Sequence, residues 1–227
     1  MLQTAYIQTK ITNYITKELS SKLKSDIHID NVNISLFKGF KITGILIKDI
    51  QKDTMLYIKN LYILPSGIPT NFNNLSFRSV ELNEVYFDLH EIKKDTLNLD
   101  YIIDAMISEN DTGTTKDFHL RIGNLKLHNS DFKYQEIDSI ISPGMDFENM
   151  DFSDIEVDID DIDIFNSTIK TKVKKISLKE KSGLTVENIS TASNLITPDN
   201  IRIKDLNIET DKSHFEFDSL NLKYPER

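Results

Sequence analysis

The sequence predicts a mainly β protein that begins with an amphipathic helix and continues as a long, curved antiparallel sheet. Two observations predict this fold. Apolar residues recur every four positions over the first 23 residues, and after residue 25 they recur at every second position. In the second region one spacing of apolar residues returns many times, which indicates strands of similar build lying side by side.

The composition of the 227-residue chain bounds its chemistry. Cysteine is absent, which excludes disulfides, thiolate zinc sites and cysteine nucleophiles. The chain carries 27 basic and 36 acidic residues, a formal net charge of −9, which argues against nucleic acid as a partner. The longest apolar runs are only four residues, so the sequence predicts no transmembrane helix.

Residues 1–25 are expected to form the helix, and residues 26–227 a β-groove domain. The apolar face of the helix recurs at the helical period through Ile7, Ile11, Ile15, Leu19 and Leu23. Such a helix either docks on the core or lies on a membrane surface, and its partly basic polar face is compatible with the second alternative.

The β region repeats the motif ΦxΦxxΦxΦ, in which Φ is an apolar residue. Its copies begin at Ile27, Phe40, Leu56, Val80, Leu120, Val157, Ile201 and Phe215, with a weaker copy at Thr171. The copies start at irregular intervals, which disfavours a solenoid with coils of fixed length.

The central xx step of the motif shifts the side-chain phase by one residue. Either a bulge bends the strand and keeps both apolar pairs on one face, or a turn starts a new strand. The linking dipeptides are rich in Asn, Asp and Gly, which tolerate the backbone angles of a bend: Asp30-Asn31, Thr43-Gly44, Lys59-Asn60, Asn83-Glu84, Gly123-Asn124, Asp160-Asp161, Lys204-Asp205 and Asp218-Ser219. We therefore expect kinked strands in a strongly curved sheet with one apolar face.

A short helix is expected near residues 97–107, because Leu97, Leu99, Ile102, Ile103 and Met106 have helical spacing. Asn98 or Asp100 is its candidate N-cap.

No catalytic or metal-binding constellation stands out. The five histidines lack the spacing that places two imidazoles on one metal, and no nucleotide-binding or nucleophile motif occurs. We therefore expect neither an enzyme nor a cofactor. The acidic segment Asp146–Asp163 alternates with apolar residues, which predicts one solvated and one buried face. The segment lacks the glycine that a dedicated calcium loop requires, so the alternative is adventitious cation binding.

The apolar face is the candidate functional surface. If no second layer covers it, the face forms a groove for lipid or unfolded protein. The residues expected to line this groove are Phe40, Ile42, Ile45, Ile47, Leu56, Ile58, Ile122, Leu125, Ile162 and Ile164. The alternative is a structural or adhesive β-sandwich module, in which a second sheet fills the same space.

Three segments carry a resemblance to a known family. The first is a G-x-x-I-x-D-x-x-x-D-T motif at Gly44–Thr54, followed by Met55 and Leu56, and the second is Asp95–Leu99. The third is an E-x-S-G-L turn at Glu180–Leu184. Taken in order, they resemble TamB-like proteins of Bacteroidetes, within the wider AsmA-like group.

The resemblance implies several expectations. Such proteins form a half-pipe of β-structure, the β-taco, with an apolar concave face. They are periplasmic, are anchored in the inner membrane, and serve phospholipid transport between membranes or outer-membrane protein assembly. The implied partners are phospholipid or unfolded outer-membrane β-segments, and an outer-membrane assembly protein of the BamA/TamA type. The resemblance further implies that this chain is the N-terminal part of such a protein and that its membrane anchor is missing here.

Overall fold

A computed structural model describes residues 2–35, 39–67, 73–109, 117–139 and 144–224. Over these residues the chain is mainly β, with two helices. Its elements are α1 (Leu2–Leu23), β1 (Asp26–Ser35), β2 (Gly39–Lys48), β3 (Thr54–Pro65), β4 (Asn74–Lys93), β5 (Thr96–Leu97), α2 (Asp100–Glu109), β6 (His119–Gln135), β7 (Asn149–Phe165), β8 (Thr168–Glu180), β9 (Thr185–Ser190), β10 (Ser193–Thr197), β11 (Asn200–Thr210) and β12 (His214–Lys223).

All of these strands belong to one mixed sheet. Its main order is β1-β2-β3-β4-β6-β7-β8-β10-β11-β12, with β5 beside β4 and with β9 between β8 and β11. The prediction of an antiparallel sheet holds for every pair except β4–β6, which is parallel. The reason is the crossover through β5 and α2, which returns the chain to the end of the sheet from which β4 started.

Four of the eight predicted linking dipeptides contain a residue with a left-handed backbone, and the other four lie opposite them on the neighbouring strand. Gly44, Glu84, Asp161 and Asp205 have positive φ angles of 64°, 54°, 54° and 49°. Pairing is interrupted at the same level on the neighbouring strand, so that Ile29 pairs with Ile45 and Asn31 with Thr43 across the first of these steps. At Gly44 a Cβ would overlap the Asp30 carboxylate, so both the angle and the space favour glycine.

The kinks keep consecutive apolar pairs on one face. Ile29 and Val32 are three residues apart, yet both belong to one buried cluster together with Ile27. In a regular strand, residues three apart point to opposite faces. Each copy therefore forms one continuous kinked strand, and no turn starts a new one; because the pairing register is unchanged across the step, the kink is not a one-residue bulge.

Apolar residues meet apolar residues across the whole sheet. Directly paired residues share a face, and one row of them runs from β1 to β12, which we call the long apolar row: Val32, Ile42, Leu61, Leu82, Leu127, Val157, Ile176, Ile189, Ile208 and Phe215. At the usual strand spacing this row is roughly 43 Å long.

Helix α1 covers one end of the sheet. Leu23 packs against the cluster of Ile27, Ile29 and Val32, and these three side chains are at most 5% exposed. The helix also binds the free edge of β1. The Thr12 hydroxyl accepts a hydrogen bond from the Val32 amide at 3.0 Å, and the Ser20 hydroxyl accepts one from the Ile27 amide at 3.3 Å.

The second helix confirms the expected helix near residues 97–107, but neither predicted N-cap residue has that role. Leu99 provides the first acceptor, since its carbonyl binds the Ile103 amide at 3.3 Å. Asn98 is fully buried, and its amide binds the His90 amide and the Asp88 carbonyl of β4. Asn98 therefore anchors the helix to the sheet, while the Asp100 carboxylate accepts a hydrogen bond from the Leu97 amide.

Candidate functional site

The predicted groove residues fall into two groups on the sheet. Phe40, Ile42, Ile45, Ile47, Leu56 and Ile58 lie on β2 and β3, and Ile122, Leu125, Ile162 and Ile164 lie on β6 and β7. Register joins the members of each group, as Ile45 pairs with Ile58 and Ile122 with Ile162. The two groups are separated by β4, whose Phe77 pairs with Ile122.

Part of the first group lies under the helix. Ile42, Ile45 and Ile47 pack against the buried cluster of β1. They therefore contribute to the core at the covered end, which we define as β1 and β2 with α1. Of the predicted helix face, Leu23 joins this cluster and Leu19 is 37% exposed. The side chains of Ile7, Ile11 and Ile15 lie outside the described part of the chain.

The opposite end of the apolar face is uncovered by any described element. At the open end, which we define as β11 and β12, Phe215, Phe217 and Leu222 are 48%, 45% and 45% exposed. The accessible surface of the whole chain is 15161 Å², whereas a compact protein of this mass exposes about 10,600 Å². The chain therefore exposes more surface than a compact protein of its mass.

A cavity lies on the other face of the sheet. It has a volume of about 1050 Å³ and extends from β4 to β11. On β11 the lining is the alternate pair Arg202 and Lys204, whereas on β6 and β8 it includes consecutive residues, such as Arg121–Gly123 and Lys170–Lys172. Alternate positions share a face, and this face is opposite to that of the Ile122–Ile162 pair. Ile122 and Ile162 also line the cavity, together with the residues that precede and follow each of them in the chain.

This cavity, which we call the basic cleft, has a charge opposite to that of the chain. Its lining includes the cations Arg78, Arg121, Lys170, Lys172, Arg202 and Lys204, against the carboxylates Asp161 and Asp163. The net charge of the chain is −9. Basic residues are therefore concentrated here on a sheet that is acidic overall.

Most carboxylates of the acidic strand β7 are paired with basic side chains of the neighbouring strands. Its carboxylates alternate along the polar face and meet basic side chains from both neighbouring strands. Lys126 and His128 of β6 contact Asp158 and Glu156 at 4.0 and 2.6 Å, and Lys174 of β8 contacts Asp160 at 2.9 Å. The acidic segment thus forms cross-strand ion pairs, and no group of three or more possible metal ligands occurs among the described residues.

Two of these carboxyl groups have lowered pKa values. Burial by itself would raise the pKa of Glu156, but hydrogen bonds from the Asn129 amide and the His128 ring outweigh it and lower the pKa. A hydrogen bond from the Lys174 ammonium, followed by one from the Asn124 amide, lowers the pKa of Asp160. Both groups are therefore carboxylates at neutral pH.

A second polar cluster ties α2 to the sheet. His90 lies between two carboxylates, with Nδ1 at 2.9 Å from Asp88 and Nε2 at 3.4 Å from the fully buried side chain of Asp49. Burial, with a hydrogen bond to Asp88, raises the pKa of the Tyr86 phenol to about 12. The Tyr101 hydroxyl donates to the Lys48 carbonyl at 2.9 Å. None of these residues lines the basic cleft, so we assign the cluster to the attachment of α2.

The motifs behind the family resemblance form turns. Asp49 accepts hydrogen bonds from the amides of Gln51 and Asp53, at 2.8 and 2.9 Å, in the turn between β2 and β3. Glu180 likewise accepts one from the Ser182 amide at 2.7 Å, in the turn between β8 and β9. These carboxylates satisfy backbone donors, so a structural constraint explains the motif residues without any catalytic role.

The basic cleft was not predicted from the sequence. Its cations come from four strands, β4, β6, β8 and β11, and only the order of strands in the sheet brings them together. The signal available beforehand was the row of alternating lysines on β8, Lys170, Lys172 and Lys174.

Comparison of the sequence with protein-family models finds no match, and comparison with curated proteins finds no match either. Among the described residues, no helix has both the length and the apolar character needed to cross a membrane.

Proposed function

We propose that this protein is a non-enzymatic carrier that binds the acyl chains of phospholipids along the apolar face of its curved sheet. In this proposal the sheet is a half-pipe, the long apolar row lies along its concave face, and α1 closes one end through its amphipathic face. The protein would act in the periplasm as part of a TamB-like, inner-membrane-anchored assembly that moves lipid toward the outer membrane.

The observation that carries the proposal is the unbroken apolar row. A row of apolar side chains that crosses ten strands offers a continuous path for an acyl chain. Contact with such a chain removes apolar surface from water at about 25 cal/mol per Å². The exposure of Phe215 and Phe217 on β12 supports access to this surface at the open end.

The single sheet favours this proposal over the β-sandwich module. A sandwich needs a second sheet against the apolar face, and the described strands belong to one hydrogen-bonded sheet. A second cargo, an unfolded outer-membrane β-segment, fits the same face because it also presents alternating apolar side chains.

The test is binding of a pyrene-labelled phosphatidylcholine to delipidated protein. This lipid is zwitterionic, so binding reports on the acyl chains and not on net charge. We expect saturable binding, weakened about tenfold when Phe215 and Phe217 are both replaced by Gln, because two apolar contacts are lost. The matched control replaces Glu216 and Asn221, on the polar face of the same strand, by Gln and Ala, and it should bind as the parent does.

Two outcomes would count against this proposal. Absence of lipid binding, together with suppression of aggregation of a denatured outer-membrane β-barrel protein, would select the protein cargo. Absence of both activities would overturn the carrier function altogether.

A further inference from the structure

The basic cleft contains four cations that form no ion pair within 4.0 Å among the described residues. Lys170 of β8 pairs in register with Leu195 of β10, which pairs with Arg202 of β11. Lys172 and Lys204 lie one alternate position further along the same two strands, on the same face. With a strand spacing of about 4.8 Å, the four cations stand around β10 at the corners of an area of roughly 10 by 7 Å.

Asp160 and Asp163 of β7 make their direct contacts with residues outside this group. Asp163 pairs in register with Lys170, but its carboxylate contacts His119 at 2.7 Å. Asp160 pairs with Lys172, which adds at longer range to the lowering of the Asp160 pKa, but its direct contacts are Lys174 at 2.9 Å and Asn124 at 2.8 Å. Among the described residues, no carboxylate lies within the 4.0 Å ion-pair distance of any of the four cations.

The other side of the group has little negative charge. The β10 positions between the two pairs of cations are Ser193 and Leu195, and both line the cleft. Arg202 acts on Asp199 only at longer range, where it adds to the lowering of that carboxyl's pKa by the Thr197 hydroxyl. The surplus of positive charge therefore persists at β8–β11.

We propose that the four cations Lys170, Lys172, Arg202 and Lys204 form a binding site for a phosphate-bearing anion on the polar face of the sheet. Phosphate oxygens match this arrangement, because the Arg fork binds two oxygens at once and the lysines supply compact charges around it. The ~1050 Å³ cleft is large enough for a phosphorylated headgroup. The phosphate could belong to a soluble compound or to an anionic lipid, and the site goes beyond the proposed binding of acyl chains on the opposite face.

The experiment measures binding of two probes to the full chain. Calorimetric titration with inorganic pyrophosphate tests a soluble phosphate, and co-flotation with phosphatidylglycerol vesicles tests a lipid phosphate. The variant is Lys170→Gln with Arg202→Gln, both at exposed positions. The matched control is Lys133→Gln with Lys179→Gln, which removes the same charge from residues paired with Asp151 and Asp154 outside the cleft.

We expect the cleft variant to bind at least tenfold more weakly (~10-fold per 1.4 kcal/mol) and the control to bind within about twofold of the parent. Pyrophosphate binding that depends on the cleft assigns a soluble phosphate, and cleft-dependent binding to vesicles alone assigns a lipid headgroup. Binding of neither probe, or an equal loss in both variants, would overturn the site. Because phosphatidylcholine binding is measured separately, its failure would leave this result intact, and the reverse also holds.

Discussion

The two ends of the sheet contain the same motif in opposite surroundings. At the covered end Ile27, Ile29 and Val32 are at most 5% exposed beneath α1, whereas at the open end Phe215 and Phe217 are 48% and 45% exposed. The outer edges also differ, since the side chains of Thr12 and Ser20 bind the backbone of β1. Among the described residues, β12 pairs with β11 alone. The motif therefore determines where strands and kinks form, while helix α1 determines which copy of the motif is buried and which is exposed.

The largest expected difference between the ends concerns stability. Ile29→Ala at the covered end should lower the free energy of unfolding by about 2–5 kcal/mol, because it leaves a cavity in a closed cluster. Phe217→Ala, although it removes a larger side chain, should cost less than about 1 kcal/mol, because the ring is already half exposed. Urea unfolding of both variants measures this difference, and equal losses would show that the open end is covered in solution.

A second comparison concerns the kinks. Gly44→Ala should lower the free energy of unfolding by about 1–2 kcal/mol, because the left-handed backbone disfavours any side chain and a Cβ would meet Asp30. Gly67→Ala is the control, since nothing lies within 4 Å of its added Cβ. Thermal unfolding of both proteins is the measurement, and a neutral Gly44→Ala would contradict the role of this kink.

The covered edge provides a third prediction. Thr12→Val keeps the shape of the side chain but removes the acceptor of the Val32 amide, which should cost about 1–3 kcal/mol if that amide loses its partner. Hydrogen exchange at Val32 should accelerate, while exchange at Phe217 on the far edge stays as it was. Ser21→Ala, at an exposed position of the same helix, is the control. Unchanged protection of Val32 would show that α1 does not seal this edge.

The smallest effect concerns pH and the turn between β8 and β9. Burial would raise the pKa of Glu180, but hydrogen bonds from Ser182 and the Asp151 amide outweigh it and lower the pKa. The stabilisation by Glu180 is therefore present above the unfolded pKa, 4.5, and is lost as the pH falls through the folded value. Glu180→Gln should cost about 1 kcal/mol at pH 7 and should show a weaker loss of stability below pH 4.5 than the parent. Acid titrations in which the two proteins lose stability to the same extent below pH 4.5 would contradict this prediction.

The sequence predicts much of the fold because its motif acts locally. The steps at Gly44 and Asp161 could be located from dipeptides alone, and both have left-handed backbone angles. Asn129 also has such an angle, with φ of 49°, but its step escapes the pattern because Ser130 takes an apolar position. Ser130 is 1% exposed, and its hydroxyl accepts a hydrogen bond from the Val85 amide.

Other features depend on long-range order that the motif cannot encode. The parallel pairing of β4 and β6 was missed because ΦxΦxxΦxΦ reads the same in both directions and carries no information on strand polarity. The basic cleft was missed for a related reason, since Lys170 and Arg202 become neighbours only when β10 inserts between β8 and β11. The helix cover was expected in kind, but the roles of Thr12 and Ser20 at the edge required coordinates.

The mirror symmetry of the apolar spacing has an architectural consequence. In the β11–β12 hairpin, Ile201 meets Leu222 and Ile208 meets Phe215, so both ends of the motif match when one copy is reversed against another. Any two copies that pair as antiparallel strands therefore align apolar positions with apolar positions, and the kink of one copy with the kink of the other. Hairpins of this kind are interchangeable building units, and the insertion of one more unit into the sheet would lengthen it without redesigning the neighbouring strands.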